Sequence, residues 1–491
     1  MLATDEALLA RVLELRGQPP ATAVESVFGD AAATQARIQN ETLAARAADF
    51  RDVGARVARI LRGEALSLPS QPSIAVAEDL PPSVAEEIPD ELLLGVAIQG
   101  GSATAHVVIL SRSRGIPAVV GAAGLLEAAA TATTIGIDGE AGEVALDPNE
   151  AAAAELRRRS DALAERRRKA AELRGRPCTT ADGERVLLVA NIGAPADSDR
   201  AIAAGAEGVG LFRTEFLFMK RQTPPTEDEQ VAAYRQVFEA FGPARPVVVR
   251  LADIGGDKAI PYLGLAAEAN PFLGVRALRL AYGSRELLET QLRAVWRAAG
   301  LAGVTPHVMA PMVATLADVD LLLEMRDAAR AAVAAGGGAL PDRMATGVMV
   351  EIPSAALIAD RLAGRVDFFS IGTNDLTQYA LAADRSNPAL GRLHDALHPA
   401  VLRLVADTVA GADRAGIDVA VCGELAGDPL GALVLVSLGV DELSADAASL
   451  DEVRAALAAV ARPSLDELAR AALAAPDART VRALAGDLLR A

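Results

Sequence analysis

The spacing of apolar residues changes along this chain and divides it into regions with different predicted secondary structure. At the start, apolar residues recur at helical spacing, as at Leu8, Leu9, Val12 and Leu13. A Pro/Ser segment ends this pattern, and the short β-like runs after it close with two predicted strands around a Gly-containing turn. A long charged helix bounded by proline comes next. We therefore predict a helical domain over 1–63, a small α/β domain over 64–148, a linker helix over 149–177 and a large domain over 178–491.

Eight apolar runs alternate with helical stretches through the large domain. In chain order they read VLLVAN, GVGLFR, PVVVRL, HVMAPMV, TGVMVEI, VDFFSIG, DVAVCG and DELSAD. Uninterrupted apolar runs are typical of parallel strands with both faces buried. Eight such strand–helix units predict an α/β multidomain protein that ends in a (β/α)8 TIM barrel. A doubly wound open sheet is the alternative, but it usually has fewer strands, and no GxGxxG follows a first strand here.

The composition excludes several classes of protein. Hydrophobic residues make up 51% of the 491 residues, so the chain can bury large cores. A formal net charge of −17 disfavours nucleic acid and anionic lipid as main partners. Two cysteines cannot form a disulfide framework, which fits a reducing compartment and a cytoplasmic protein. The sequence shows neither a signal-peptide pattern nor an apolar stretch as long as a membrane span, so we expect no membrane insertion.

Charged and polar residues follow the predicted barrel strands at the end where barrels place their active sites. They are Asn191, Arg213, Glu215, Arg250, Asp253, Lys258, Glu351, Asn374, Asp375, Arg385 and Cys422. Any one of them alone could be a salt bridge or a helix cap. Together, three arginines, one lysine and a pair of the carboxylates in this set suit a small polyanion with Mg²⁺, which binds few protein carboxylates and shares substrate oxygens. The Cys422 thiol is either a proton donor or a small buried hydrophobe.

A second candidate centre is His106, in the segment GGSATAHVVILSRSRGIPAVVG. Small residues precede this histidine and an apolar helical run follows it, which predicts an imidazole exposed at a helix N-terminus. Backbone N–H groups at such a position can receive a phosphoryl group, and a neutral imidazole is a competent nucleophile. A core or surface histidine without a role is the alternative.

Long motifs across the chain resemble Enzyme I of the phosphoenolpyruvate:sugar phosphotransferase system. The matching stretches are IAVAEDLPPS, TAHVVILSRSRGIPAVVG, DGEAGEV, VANIGAPAD, GVGLFRTEFLFM, PPTEDEQ, DIGGDK, NPFLGVRALR, VMVEIPSA, SIGTNDLTQYALAADR and CGELAGD. They occur in the family's order and cover most of the chain. The resemblance implies a phosphohistidine domain that swivels, a partial helical domain and a barrel that binds phosphoenolpyruvate.

The resemblance also implies a role for each matching residue. His106 is the histidine that takes the phosphoryl group, Cys422 protonates the enolate to give pyruvate, and Glu351 and Asp375 bind Mg²⁺. The residues implied to bind phosphoenolpyruvate are Arg213, Arg250, Lys258, Asn374 and Arg385. His106 then passes the phosphoryl group to the phosphocarrier protein HPr, the first step of a sugar-uptake relay. The resemblance further implies a homodimer formed through the barrel.

Two departures from the family pattern modify these expectations. Around the histidine the family usually reads Gly-Gly-x-Thr-Ser-His, whereas residues 101–106 read GSATAH, so we expect slower phosphorylation rather than none. The chain also starts inside the helical HPr-binding domain, which implies an N-terminally shortened member. A phosphoenolpyruvate-binding half-enzyme with impaired HPr transfer is therefore the first alternative. A metal-dependent lyase or aldolase acting on pyruvate enolates is the second, because the barrel rim alone would fit it.

Overall fold

The computed structural model of the chain describes residues 6–36, 47–64, 68–89, 91–100, 107, 111, 115–219, 221–256, 258, 260–266, 268–385 and 387–490. The chain divides into two compact units, 1–164 and 165–491. Each unit has its own hydrophobic core and is described separately below.

The first unit begins with three helices, as the apolar spacing predicts. They are α1 (Glu6–Glu14), α2 (Pro20–Ala36) and α3 (Ala47–Arg62). Leu8, Val24, Val27 and Phe28 form a small core between them. Gly54 of α3 lies directly against Phe28: a Cβ at Gly54 would sit 2.5 Å from the Phe28 Cβ, so a larger residue would push the helices apart.

Two small sheets follow the helices of the first unit. Strands β1 (Ser73–Ala77), β2 (Leu93–Ile98) and β3 (Ala118–Val119) form a parallel sheet, and β4 (Ile135–Asp138) pairs antiparallel with β5 (Glu143–Leu146). The predicted two-stranded hairpin is thus confirmed. In its turn, Asp138 Oδ1 accepts hydrogen bonds from the backbone N–H groups of Glu140 and Ala141 at 3.0 and 2.9 Å.

The remaining helices of this unit are short, apart from the charged one. They are α4 (Pro82–Glu87), α5 (Leu125–Ala129) and α6 (Glu150–Ala171). The division between the two units falls within α6. Glu155 of this helix accepts hydrogen bonds from Arg158 and Arg159, the i,i+3 and i,i+4 pairs that support an exposed helix.

The second unit is a closed barrel of eight parallel strands, which confirms the predicted TIM barrel. The strands are β6 (Leu187–Ile192), β7 (Val209–Phe212), β8 (Val247–Arg250), β9 (His307–Ala310), β10 (Ala345–Val350), β11 (Phe368–Ile371), β12 (Asp418–Val421) and β13 (Glu442–Ala445). Each pairs with the next along the chain, and β13 pairs with β6 to close the ring. Every apolar run that predicts a strand forms one.

Helices cover the outside of the barrel. They are α7 (Asp197–Ala203), α8 (Glu227–Phe241), α9 (Glu286–Ala302), α10 (Leu316–Ala335), α11 (Pro353–Leu357), α12 (Ala359–Ala363), α13 (Thr373–Leu381), α14 (Pro399–Asp413), α15 (Pro429–Ser437), α16 (Leu450–Ala458), α17 (Arg462–Ala474) and α18 (Ala478–Arg490). A large apolar core lies between helices and strands. A separate cluster that includes Leu211, Val248, Met309, Met349 and Cys422 fills the inside of the barrel. Across the described residues, no helix is both long enough and apolar enough to cross a bilayer.

Candidate active site

The structure brings the predicted barrel residues together at the carboxyl ends of the strands. They lie at or just after five strands: Arg213 after β7, Arg250 and Lys258 at the end of β8 and in its loop, Glu351 after β10, Asn374, Asp375 and Arg385 after β11, and Cys422 after β12. Parallel strands of a closed barrel end on one rim, so these positions share it. His106 lies outside the described residues, so its place relative to this rim remains a prediction.

Arg250 is held at the rim by a buried ion pair. Its Nη2 donates to Glu215 Oε1 at 2.7 Å, and both side chains are only 10% exposed. The same Glu215 oxygen accepts from the backbone N–H of Asp253 at 2.8 Å. The Arg250 Nε is buried and has no hydrogen-bond partner, so the guanidinium keeps a donor for a further acceptor.

Asp253 organises a second group of cations beside the first. Arg276 donates to both of its carboxylate oxygens through Nε and Nη2, and Lys258 Nζ lies 3.2 Å from Oδ2. Burial alone would raise the pKa of Asp253, but Lys258 and Arg276 outweigh it and hold the pKa far below the usual range. The carboxylate is therefore ionised and fixes two cations in place.

Glu351 is a buried carboxyl group with the opposite balance of charges. Its Oε1 accepts from the backbone N–H of Met312 at 2.7 Å, and Met312 has the left-handed φ of 61°. Burial raises the pKa of Glu351 to about 8, and the negative charges of Asp375 and Asp253 add to this effect. Its negative charge is thus poorly compensated by the protein alone.

Asp375 stands beside Glu351 in electrostatic reach and has a free coordination position. Its Oδ1 is buried without a hydrogen-bond partner, and its Oδ2 accepts from Arg385 Nη1 at 3.3 Å. Arg276 Nη1 lies 3.8 Å from Oδ1. A carboxylate oxygen without a hydrogen bond, next to an under-compensated carboxyl group, fits a divalent cation. Within the described part of the chain, no three His, Cys, Asp or Glu side chains group as metal ligands, so this pair would share the ion with substrate or water.

Cys422 lies at the top of the barrel interior and is 3% exposed. Its thiol is 3.7 Å from the carbonyl oxygen of Ile371. Burial raises the pKa of the thiol to about 11, although the Ser370 hydroxyl and the Arg250 guanidinium act in the opposite direction. The thiol therefore carries its proton at neutral pH, as a general acid must.

The loops after β11 and β12 are locked to each other next to that thiol. Asn374 Nδ2 donates to Glu424 Oε1 at 3.4 Å, and Asn374 Oδ1 accepts from the backbone N–H of Glu424 at 3.1 Å. A Cβ at Gly423 would lie 1.9 Å from Thr373 Oγ1, so only glycine allows this approach. The two loops consequently place Asn374, Asp375 and Cys422 as one rigid group.

Arg276 and Gln291 contact this site but are not indicated by the sequence pattern: Arg276 is ion-paired with Asp253, and the Gln291 amide accepts from the backbone N–H of Ala252. Arg276 follows a long irregular segment after β8 rather than a strand, and Gln291 is in the middle of α9. Neither residue follows a predicted strand, so the apolar runs do not indicate either of them. The motif NPFLGVRALR contains Arg276 and was the available signal. Arg213 is exposed at the rim, in contrast to the buried Arg250 and Arg276.

Comparison with known protein families gives matches over both units. A family model for the PEP-binding domain of PEP-utilising enzymes matches residues 167–462. A second, for the mobile domain of PEP-utilising enzymes, matches residues 69–142. The first match spans the barrel strands and every rim residue described above.

Individual relatives are similar over almost the whole chain. A multiphosphoryl transfer protein of Rhodobacter capsulatus is 43% identical over 479 residues, covering 97% of this chain and 57% of that protein. A phosphoenolpyruvate-protein phosphotransferase of Geobacillus stearothermophilus is 43% identical, covering 87% of this chain and 74% of its own length. One of Bacillus subtilis is 42% identical, with coverages of 84% and 72%. The chain thus spans little more than half of the first relative and about three quarters of the others.

Proposed function

The chain belongs to the phosphoenolpyruvate-protein phosphotransferase family, and from this premise we propose that it phosphorylates its own His106 with phosphoenolpyruvate and releases pyruvate. HPr then takes the phosphoryl group from His106 onto one of its own histidines, as the first step of a sugar phosphotransferase relay. The observation that carries the proposal is the rim of the barrel, where ion-paired cations surround one buried thiol and two carboxylates.

The cations of the rim suit the two anionic groups of phosphoenolpyruvate. Arg250 has an unpartnered Nε, and Arg213 is exposed at the same strand ends. Lys258 is in the loop after β8, and Asn374, which supplies an amide, and Arg385 follow β11. Guanidinium groups bind phosphate and carboxylate oxygens through paired N–H donors, which fixes a small planar substrate in one orientation. We propose these five residues as the substrate site.

Glu351 and Asp375 would hold Mg²⁺, because Glu351 has an under-compensated charge and Asp375 has an oxygen without a hydrogen bond. The ion, when bound, would neutralise charge on the phosphoryl oxygens. The protein's own part is to keep both carboxylates in place: the Met312 N–H holds Glu351, and Arg385 holds Asp375.

The reaction breaks the P–O bond of phosphoenolpyruvate and forms a P–N bond to the imidazole of His106. The electron pair of the broken bond stays on the leaving enolate of pyruvate. Rim cations stabilise that negative charge, and the Cys422 thiol gives its proton to the enolate carbon. The thiolate is then reprotonated from solvent. Because the imidazole releases its N–H proton once the P–N bond has formed, the transfer takes up no net proton.

The remaining expectations are part of the same proposal. We propose the four domains as 1–63 for HPr binding, 64–148 for the phosphohistidine, 149–177 as linker and 178–491 for phosphoenolpyruvate. His106 has to reach both the rim and HPr, so the proposal requires movement of its domain. A homodimer formed through the barrel and a cytoplasmic location complete it.

The test is incubation of the full chain with ³²P-labelled phosphoenolpyruvate and Mg²⁺, with and without HPr. We expect acid-labile label on the protein that His106→Ala abolishes and that moves to HPr. His398→Asn is the matched control, because asparagine still accepts the hydrogen bond that His398 receives from the backbone of Ala400. Label that never reaches HPr would support the half-enzyme alternative, and pyruvate without any label would support a lyase.

A further inference from the structure

We propose that Gln291 is a positioning residue, which rests on the function proposed above: its amide holds the two rim loops that carry the phosphoenolpyruvate-binding arginines. Gln291 is in the middle of α9, on the outer ring of the barrel, and is fully buried. It touches none of the reacting groups. Its effect on the site would pass through the backbone of the loops after β7 and β8.

The Gln291 amide makes three hydrogen bonds inside the barrel wall. Nε2 donates to Thr214 Oγ1 at 3.0 Å and to Tyr234 OH at 3.1 Å. Oε1 accepts from the backbone N–H of Ala252 at 2.9 Å. Both N–H groups and one oxygen lone pair of the amide are thus in use.

Each of the two hydroxyls that accept these hydrogen bonds donates its own hydrogen bond to a further acceptor. Thr214 Oγ1 donates to the carbonyl oxygen of Arg250 at 2.9 Å, and Tyr234 OH donates to Gln230 Oε1 at 3.1 Å. A flipped amide would point its NH₂ at the N–H of Ala252, so the network admits one orientation. Such a network specifies a single arrangement of the groups it joins.

Each bond towards the rim ends at or beside a charged group of the site. Thr214 lies between Arg213 and Glu215 in sequence, and its hydroxyl holds the backbone of Arg250. Ala252 directly precedes Asp253. The same loops are also joined on the barrel side, where Glu215 accepts from the Asp253 N–H at 2.8 Å. Gln291 thus holds the loops after β7 and β8 from the helix side of the barrel, and Glu215 holds the same loops from the barrel interior.

The branch through Tyr234 leads away from the rim and supplies the matched control. Tyr234 and Gln230 are both in α8, both are buried, and Gln230 bonds onward to the Pro225 carbonyl at 3.4 Å. Removing the Tyr234 hydroxyl also breaks a buried hydrogen bond of Gln291. It leaves the bonds to Thr214 and Ala252 intact. A stability effect without a site effect is therefore the expectation for this side chain.

The experiment compares Gln291→Met with Tyr234→Phe in the full chain. Affinity for phosphoenolpyruvate with Mg²⁺ is measured by calorimetry, the rate of self-phosphorylation by rapid quench, and Tm by thermal unfolding. Both variants should lose Tm. Gln291→Met should in addition weaken binding and slow phosphorylation roughly ten-fold or more, because loop displacement of a fraction of an ångström misaligns the arginines. Tyr234→Phe should change both less than about two-fold.

A second pair of variants keeps the inference testable if Gln291→Met fails to fold. Thr214→Val removes the hydroxyl that links Gln291 to Arg250, and Thr214→Ser retains it, so only the valine variant should lose affinity. Folded Gln291→Met or Thr214→Val protein with wild-type affinity and rate would overturn the inference alone. Wild-type protein that does not bind phosphoenolpyruvate would overturn the proposed function and the inference with it.

Discussion

The two ends of the barrel interior hold carboxyl groups in contrasting ways, one of them buried and the other half-buried. At the carboxyl end, Asp253 is ion-paired with Arg276 and Lys258, and its pKa is far below the usual range. At the amino end, Glu442 packs against Gly210, where a Cβ would lie 2.7 Å from Glu442 Oε1. Burial raises the pKa of Glu442 to about 8, and Asp418 and Asp441 add to the effect. The surroundings of Asp253 at the rim therefore stabilise the ionised carboxylate, whereas those of Glu442 at the opposite end favour the protonated carboxyl group.

Glu351 makes this comparison more informative, because it lies at the rim but its pKa is raised like that of Glu442. Its pKa is also raised to about 8 by burial and neighbouring carboxylates. The two carboxyl groups differ in their neighbours. Glu351 lies near Asp375, which has an oxygen without a hydrogen bond, and near the cations Arg250 and Arg276. At the amino end a carboxyl group that is costly to ionise only destabilises the fold when it is charged, whereas at the rim we propose that it helps to hold Mg²⁺.

Loss of the thiol should give the largest effect on turnover at the rim. Cys422→Ala removes the proposed proton donor, so we expect pyruvate formation to fall by about 10²–10⁴-fold while phosphoenolpyruvate still binds. Cys178→Ala is the matched control, since Cys178 is equally buried but lies in the core outside the rim. Steady-state kinetics and calorimetry separate the two effects. Unchanged turnover of Cys422→Ala would remove it as the acid.

Loss of a rim cation should affect binding and chemistry together. Arg250→Ala takes away a proposed donor to the substrate and leaves Glu215 buried without its ion-pair partner. We expect kcat/KM to fall by about 10²–10³-fold, with both kcat and KM affected. Kinetics at varied phosphoenolpyruvate concentration would show this. An unaltered kcat/KM would mean that the ion pair is structural only.

The same Glu→Gln substitution at both ends tests whether Glu351 supports cation binding and Glu442 does not. Glu351→Gln should raise the Mg²⁺ concentration for half-maximal rate by roughly 10–100-fold, as loss of a supporting ligand group does elsewhere. Glu442→Gln should leave that concentration unchanged, although both carboxyl groups have a pKa of about 8. Rates measured across a Mg²⁺ titration decide it. An equal change in the Mg²⁺ requirement of the two variants would contradict a specific role of Glu351 in cation binding.

The smallest effect concerns stability and pH at the amino end. The pKa of Glu442 is about 8 in the folded protein and about 4.3 in an unfolded chain, so the folded state holds the proton more tightly. Stability attributable to this group is complete below pH of about 4 and is lost as the pH rises through about 8. Glu442→Gln should therefore flatten the fall of Tm between these pH values by a few degrees. A Tm profile parallel to that of the wild type would contradict the assignment.

Much of the barrel and of its rim could be predicted from sequence, because one physical rule covers both. Buried parallel strands need continuous apolar runs, and the residues after each run must reach the same rim. That rule locates Arg213, Glu351 and Cys422 without any contact information. It also explains why Asn374 and Asp375 were found, since they directly follow the run VDFFSIG.

The rest depends on contacts that local pattern does not encode. Arg276 reaches Asp253 after a segment without a strand, and Gln291 looks like any polar residue in an amphipathic helix. Glu442 and Glu351 both border an apolar run, yet only the three-dimensional neighbours separate their roles. Contacts between side chains that are distant in sequence form only when the barrel closes, and no short segment of sequence specifies that closure.

The most direct test of the central claim is a single-turnover experiment on the full chain with phosphoenolpyruvate and Mg²⁺. Released pyruvate is quantified, and the protein-bound phosphoryl group is located by tandem mass spectrometry under conditions that preserve phosphohistidine. The account predicts one phosphoryl group on His106 for each pyruvate released. Pyruvate released without phosphohistidine, or a phosphoryl group on a different residue, would contradict it.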